Sequence, residues 1–275
     1  MNNLGTLYGL GVGPGDPELI TVKAFRLLKE CPVIAYPRKK RGAKSYALAI
    51  TELYVNTEQK EMMGLTFPMT RDKEALEMQW TKTVESVWAH LVQGKDVAFV
   101  TEGDPMIYST YIHLMRLMNE RHPEVKAVSI PGISSINASA SRLGIPLADG
   151  DEQIAIVPAM DDYDKMRKAI EEHDCVVFIK VAKVIDLMLS VLHDLGLVNK
   201  ASVLTKVTSS EEEIWRNVEE LQGRELEYLT LMVVRKIDET LYYWCGTGRS
   251  GFDHCERPKT SSTSRCCDVY RLSCE

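Results

Sequence analysis

Residues 97 to 118 read Val97-Ala98-Phe99-Val100, then Thr101-Glu102-Gly103-Asp104-Pro105-Met106-Ile107-Tyr108-Ser109-Thr110, then Tyr111-Ile112-His113-Leu114-Met115-Arg116-Leu117-Met118. The first segment is an apolar run typical of a buried strand, and the third has the apolar spacing of a helix. Gly103 allows a ligand close to the main chain, Asp104 is expected to cap the following helix, and Pro105 suits its first turn. A turn of this kind exposes backbone N–H groups that favour an anion or another acceptor. The stretch predicts an α/β unit whose turn is either a ligand site or an ordinary connection.

Two further turns of this kind favour the ligand site. Gly13-Pro14-Gly15-Asp16-Pro17 follows a predicted strand at residues 7–12, and Pro131-Gly132-Ile133-Ser134-Ser135 follows one at residues 125–130. The first turn does not have the dinucleotide-binding pattern, because Gly9, Gly11 and Gly13 are followed by a proline. The next strand also ends in the basic run Tyr36-Pro37-Arg38-Lys39-Lys40-Arg41 rather than near an acidic residue. We therefore exclude NAD binding by that route.

The bulk composition is that of a globular enzyme. The chain has 275 residues, enough for about two domains, and its net charge of −6 argues against nucleic acid as the main partner. We find no signal peptide and no apolar run of the roughly 20 residues that span a bilayer. These features predict a cytoplasmic protein without a membrane partner.

Hydrophobic periodicity predicts two α/β domains, at residues 1–145 and 146–240, with a more antiparallel ending in the second. The predicted helices lie at residues 18–30, 45–53, 71–92, 111–118, 134–143, 162–172 and 184–195. The predicted strands lie at residues 7–12, 32–36, 61–67, 97–100, 125–130, 153–157, 175–179, 201–205, 213–218 and 229–235.

Residues 241–275 carry no amphipathic period, and Cys245, Cys255, Cys266, Cys267 and Cys274 crowd this tail. We predict that it is disordered or a non-native extension. No Cys-x-x-Cys spacing accompanies His254, so no metal site is predicted.

The basic loop at residues 38–44 has two interpretations. Its cations are either solvated or receive a polyanionic substrate at the carboxyl end of a strand.

Taken together, the Gly13-Pro14-Gly15-Asp16-Pro17 turn, Glu102-Gly103-Asp104-Pro105, Pro131-Gly132-Ile133-Ser134-Ser135 and Gly144-Ile145-Pro146-Leu147 resemble the S-adenosylmethionine-dependent tetrapyrrole methylase family. The resemblance runs from about residue 5 to 237. The Thr101 to Thr110 segment and Phe67-Pro68-Met69 look most like the enzymes of cobalamin synthesis that methylate C-20 of precorrin-2 or cobalt-factor II.

The resemblance implies two α/β domains with a cofactor and substrate cleft between them, in a homodimer. S-adenosylmethionine would be bound, and S-adenosylhomocysteine released, by Glu102, Gly103, Asp104, Ile107, Ser134, Ser135, Val181 and Thr230, with Lys180 beside Val181. The tetrapyrrole would lie near Pro14, Gly15 and Asp16. Its carboxylates would suit Arg38 and Lys40.

Methyl transfer to an electron-rich ring carbon needs positioning and exclusion of water, and a base only to remove a proton afterwards. The candidates for that base are Asp104, Glu102 and Tyr108. The alternatives are another tetrapyrrole methylase, acting on a different ring carbon or on uroporphyrinogen, a methylase of a protein or RNA, and a non-catalytic S-adenosylmethionine-binding protein.

Overall fold

The computed structural model of the chain describes residues 4–38, 45–67 and 73–237. Helices and strands alternate in its first half, and each lies within a few residues of its prediction. They are β1 (Leu7–Gly11), α1 (Val22–Glu30), β2 (Val33–Arg38), α2 (Tyr46–Glu52), β3 (Glu61–Thr66), α3 (Lys73–Leu91), β4 (Val97–Thr101), α4 (Tyr111–Arg121), β5 (Ala127–Ile130) and α5 (Ser135–Leu143).

The first sheet is parallel throughout its described strands, in the order β3-β2-β4-β1-β5. Both faces are covered by helices, which explains why β1 and β4 read as continuous apolar runs. One face packs against α3 and α4, around Phe99 and Tyr111. The other face packs against α1 and α2, around Leu28 and Ile34.

The second half contains β6 (Ile154–Pro158), α6 (Tyr163–Glu172), β7 (Cys175–Ile179), α7 (Ile185–Leu195), β8 (Ala201–Thr205), β9 (Glu213–Trp215) and β10 (Thr230–Arg235). Its described strands form a mixed sheet in the order β6-β7-β10-β8-β9. β10 is antiparallel to both β7 and β8, which confirms the predicted antiparallel ending. β9 and β10 do not pair with each other, because β10 lies between β7 and β8.

Helix α5 connects the two sheets. Its buried residues Ile136 and Ala138 share a core cluster with Cys175, Val177 and Leu231 of the second sheet. The small side chains of α5, such as Ala138 and Ser139, allow this close packing. Gly144, with φ of 74°, ends the helix in the left-handed conformation that glycine adopts without strain.

The predicted α/β class is confirmed by these two sheets. The predicted domain boundary at residues 145 and 146 falls between α5 and β6, and the domain limits themselves stay a prediction. Three features of the sequence analysis fall outside the described residues: the basic loop from Lys39 to Lys44, Pro68 with Met69, and the tail at residues 241–275.

Candidate functional site

Three glycine turns meet at the carboxyl edge of the parallel sheet. They follow β4, β1 and β5, which are neighbours in the sheet, so the turns must leave the same edge side by side. The N–H of Gly103 donates to the carbonyl oxygen of Gly13 at 2.8 Å. The N–H of Gly132 donates to Oδ2 of Asp104 at 3.0 Å. The sheet order therefore brings the three predicted turns into direct contact.

Glycine is required where these turns touch. A Cβ atom on Gly132 would lie 2.2 Å from the carbonyl oxygen of Gly103, and one on Gly11 would lie 2.5 Å from the same oxygen. Gly103 itself has φ of 63°, a conformation that favours glycine. No side chain fits between the turns, so their backbones define this part of the site.

Asp104 joins two of the turns. Its Oδ1 accepts a hydrogen bond from the N–H of Met106 at 2.8 Å, and its Oδ2 accepts the bond from Gly132. The prediction that Asp104 caps the following helix is wrong. Helix α4 begins only at Tyr111, whose N–H donates to Oγ of Ser109. The intervening turn carries Asp104 away from the helix and toward the β5–α5 connection.

A cavity of about 610 Å³ opens beside the central turn. Its walls come from the stretch Met106 to His113 on one side and from Ile156, Lys180 and Tyr228 on the other. Met106, Ile107 and Tyr108 are between 40% and 49% exposed. A concave apolar wall of this size with a few polar groups is the usual form of a small-molecule site.

Two residues that line this cavity have a strained backbone. Tyr108 has φ of 52° and Lys180 has φ of 61°. The left-handed region costs a side-chain-bearing residue about 1–2 kcal/mol, and such conformations concentrate at functional sites. The Lys180 Nζ atom lies 5.7 Å from the centroid of the Tyr108 ring, so the two residues face each other across the cavity.

A second cavity, of about 690 Å³, lies against the first glycine turn and the start of α5. Its lining includes Asp16, Gly132 and Thr208. The N–H of Asp16 donates to Oγ1 of Thr208 at 3.0 Å. A Cβ atom on Gly15 would lie 2.7 Å from the carbonyl oxygen of Val207. The turn predicted to border the substrate is thus held against the connection between β8 and β9.

Charged groups flank these cavities. Lys206 is buried and forms ion pairs with Glu211 and with Glu227, the latter at 2.7 Å. These hydrogen bonds raise the pKa of Lys206 above its usual range, so it stays charged. Burial and the negative charge of Glu102 raise the pKa of Tyr228, which keeps its phenol neutral. Glu102 therefore acts electrostatically on a residue that lines the first cavity.

Of the other predicted cofactor contacts, two lie at the start of α5 and two lie in the second half of the chain. Ser134 caps α5 by accepting a hydrogen bond from the N–H of Asn137, and Ser135 is the first residue of that helix. Val181 is fully buried, and the hydroxyl of Thr230 pairs with that of Thr205 at 2.8 Å. Val181 and Thr230 are 0% and 2% exposed, and their role as cofactor contacts stays a prediction.

Of the predicted substrate residues, Pro14, Gly15 and Asp16 lie in the first turn, and Arg38 lies at the end of β2. The Arg38 Nε donates to Oγ1 of Thr66 at 3.3 Å. Lys40 lies outside the described residues.

Sequence reasoning missed Ile156, Thr208 and Tyr228. None of them belongs to a glycine motif. Ile156 lies on β6, whereas Thr208 and Tyr228 lie in the connections before β9 and β10, so all three reach the cavities from the second half of the chain.

The glycine turns that meet at this parallel edge are the motifs that resemble a class of methylases. Residues 6–222 match the family model described as "Tetrapyrrole (Corrin/Porphyrin) Methylases", and the chain belongs to that family.

Individual proteins resemble the chain over most of its length. The "Probable cobalt-precorrin-2 C(20)-methyltransferase" of Methanocaldococcus jannaschii is 37% identical over 236 residues, covering 84% of this chain and 96% of the relative. The "Cobalt-precorrin-2 C(20)-methyltransferase" of Salmonella typhimurium is 33% identical over 233 residues, covering 84% and 97%. A solved Thermus thermophilus uroporphyrin-III C-methyl transferase, complexed with S-adenyl homocysteine, superposes with a TM-score of 0.59 at 23% identity, covering 84% of this chain and 98% of that one. This last likeness concerns the fold.

Proposed function

We propose that the protein is an S-adenosylmethionine-dependent methyltransferase that methylates C-20 of precorrin-2 or of its cobalt complex, in the synthesis of cobalamin. The observation that carries the proposal is the identity of 37% and 33% to two relatives with this named activity, each matched over nearly its whole length. The glycine turns that carry the resemblance are also the turns that meet at the sheet edge.

The first cavity and the glycine turn that precedes its wall fit S-adenosylmethionine. Gly103 presents its main chain without a side chain, and Met106 and Ile107 leave apolar surface open beside it. The volume of about 610 Å³ falls within the 300–1,000 Å³ typical of ligand sites. Gly103, Ile107, Ser134 and Ser135 would hold the cofactor, with main-chain contacts from Val181 and Thr230. When bound, the cofactor would supply an electrophilic methyl group on a sulfonium sulfur.

The chain's own contribution is positioning and exclusion of water. Asp104 holds the central turn against the third turn through two backbone N–H groups. The exposed apolar side chains of Met106, Ile107 and Tyr108 would be covered by the reactants and would remove water from the reacting atoms.

Among the three candidate bases we place Glu102 first, because its negative charge acts on Tyr228, a residue that lines the first cavity. Both carboxylate oxygens of Asp104 already accept backbone hydrogen bonds, which fits a positioning residue. Tyr108 is half-exposed, and its phenol is a weaker acceptor than a carboxylate. Glu102 would accept the proton that leaves C-20 after methylation.

The tetrapyrrole would lie against Pro14, Gly15 and Asp16, with its carboxylates toward Arg38 and Lys40. A cationic rim attracts a polyanionic substrate through long-range Coulomb forces.

No helix of the described residues has the length and apolarity needed to cross a membrane. No group of His, Cys, Asp and Glu side chains suited to a metal ion occurs in that part of the chain. We further propose that the protein is cytoplasmic and forms a homodimer. Sedimentation analysis would test the oligomeric state.

The experiment that tests the function is a calorimetric titration with S-adenosylhomocysteine, followed by mass detection of methyl transfer. The substrates are metal-free precorrin-2 and cobalt-precorrin-2, incubated separately with S-adenosylmethionine. We expect binding and one added methyl group on one of the two, which also identifies the metal state of the substrate. Binding without transfer to either would move the substrate elsewhere in the family. Absence of binding would refute the proposed cofactor.

A further inference from the structure

Lys180 places a cation beside an apolar cavity. It follows β7, its side chain lines the first cavity, and its neighbours there include Met106, Ile107 and Ile156. Among the residues that the structure describes, its ammonium group forms no ion pair with a carboxylate. Its contact is the face of the Tyr108 ring, 5.7 Å from Nζ to the ring centroid. A cation in this position attracts an anion that enters the cavity.

The backbone supports the placement of this cation. Lys180 has φ of 61°, a left-handed conformation that is unfavourable for lysine, and the next residue, Val181, is fully buried. Tyr108 is strained in the same sense across the cavity. Two strained residues whose side chains face each other at one cavity indicate that the surrounding structure imposes their geometry.

We propose that Lys180 binds a carboxylate group of a reactant held in this cavity, and that it thereby contributes to recognition of the polycarboxylate tetrapyrrole. The inference rests on the proposed function. Lys180 is exposed, so its bond to a carboxylate is a charge-assisted hydrogen bond that salt weakens. The amino-acid part of the methyl donor carries the same chemical group, so the test must separate the two sources.

The test compares Lys180→Met, Lys180→Arg and the control Lys183→Met. Lys183 is exposed, lies three residues further along the chain, and does not line the cavity. Methionine preserves the length of the side chain and removes its charge, whereas arginine keeps the charge. Each protein is titrated with uroporphyrin III, a tetrapyrrole polycarboxylate, by fluorescence, and with S-adenosylhomocysteine by calorimetry.

We expect Lys180→Met to weaken porphyrin binding about fivefold to tenfold at low salt, since the lost interaction is charged but partly exposed to solvent. Lys180→Arg and Lys183→Met should bind within about twofold of wild type, and the difference should shrink at high salt. Weakened binding of S-adenosylhomocysteine alone would overturn the inference, because it would assign Lys180 to the methyl donor and not to the tetrapyrrole.

Unchanged affinity of Lys180→Met for both ligands would overturn the inference. If that variant fails to fold, Lys180→Arg decides instead. A role that depends on charge predicts normal binding by this variant, whereas a role that depends on packing predicts that the bulkier arginine weakens binding of both ligands. Failure of the proposed function is recognised separately. Wild type would then bind porphyrin without methylating precorrin-2, while the comparison at Lys180 would still stand. Wild type that binds neither ligand overturns both.

Discussion

The contact between Gly132 and Gly103 makes a sharp prediction for Gly132→Ala. The added Cβ atom would lie 2.2 Å from the carbonyl oxygen of Gly103, whereas real Cβ contacts under 3.0 Å essentially do not occur. One of the turns must therefore move by about 0.8 Å, the difference between 3.0 and 2.2 Å. The obstructing atom belongs to the backbone, so no rotamer change relieves the clash.

A movement of this size also disturbs Asp104. The bond from the Gly132 N–H to Oδ2 would lengthen from 3.0 Å to about 3.8 Å, beyond hydrogen-bonding distance. Overpacking costs about 1–3 kcal/mol, and loss of a hydrogen bond to a charged acceptor costs about 1.5–3 kcal/mol. The movement that breaks the hydrogen bond also reduces the clash, so the two costs do not add in full. We therefore expect a loss of about 3 kcal/mol in the free energy of unfolding.

The assay measures stability and cofactor affinity together. Urea unfolding followed by circular dichroism gives the free energy of unfolding, and calorimetry gives the affinity for S-adenosylhomocysteine, expected to fall about tenfold or more. Gly144→Ala is the matched control at the other end of α5. Its Cβ atom meets nothing within 4 Å, but its φ of 74° is unfavourable for alanine. The control should lose about 1–2 kcal/mol of stability and keep its affinity.

Gly132→Ala with unchanged stability and affinity would refute the argument, because it would mean that the turns do not approach as closely as described. A loss of stability with normal affinity would support the close contact between the turns and would show that cofactor binding does not depend on it.

Three other predictions concern reactivity, charge and proton removal. Burial raises the pKa of the Cys31 thiol to about 12 and that of Cys175 to about 11, so peptide mapping should show that iodoacetamide at pH 8 alkylates both only after unfolding. Both folded-state pKa values exceed the usual thiol pKa of 9.0, so the two buried neutral thiols contribute fully to the free energy of unfolding below pH 9. That contribution is lost as the pH rises toward 11 and 12. The free energy of unfolding of a C31A variant should therefore decline less over this pH range. Reversing the charges of Arg38 and Lys40 should raise KM for the tetrapyrrole more than it lowers kcat, and an unchanged KM at low salt would contradict the cationic rim. Glu102→Gln should lower kcat about 100-fold with little change in S-adenosylhomocysteine affinity, and a normal kcat would remove Glu102 as the proton acceptor.

Local sequence patterns were sufficient for the elements and for the family. Apolar runs identify β4 and β7, helical spacing identifies α6, and Ser134 as a cap identifies the start of α5. These signals are local because hydrophobic periodicity and capping depend on residues within a few positions of one another. The glycine turns are equally readable as motifs, although the backbone atoms that exclude a side chain at Gly11 and Gly132 belong to Gly103 of another turn.

The tertiary structure decided how these pieces are used. The insertion of β10 between β7 and β8, and the order that places β1 between β4 and β5, come from pairing of distant segments. The bond from Gly132 to Asp104 spans 28 residues, and the bond from Asp16 to Thr208 spans 192. Asp104 therefore serves a distant turn rather than the adjacent helix. The sequence by itself determined the elements and their chemistry, whereas long-range packing decided which residues share a cavity, because such contacts depend on the whole fold and not on neighbours in the chain.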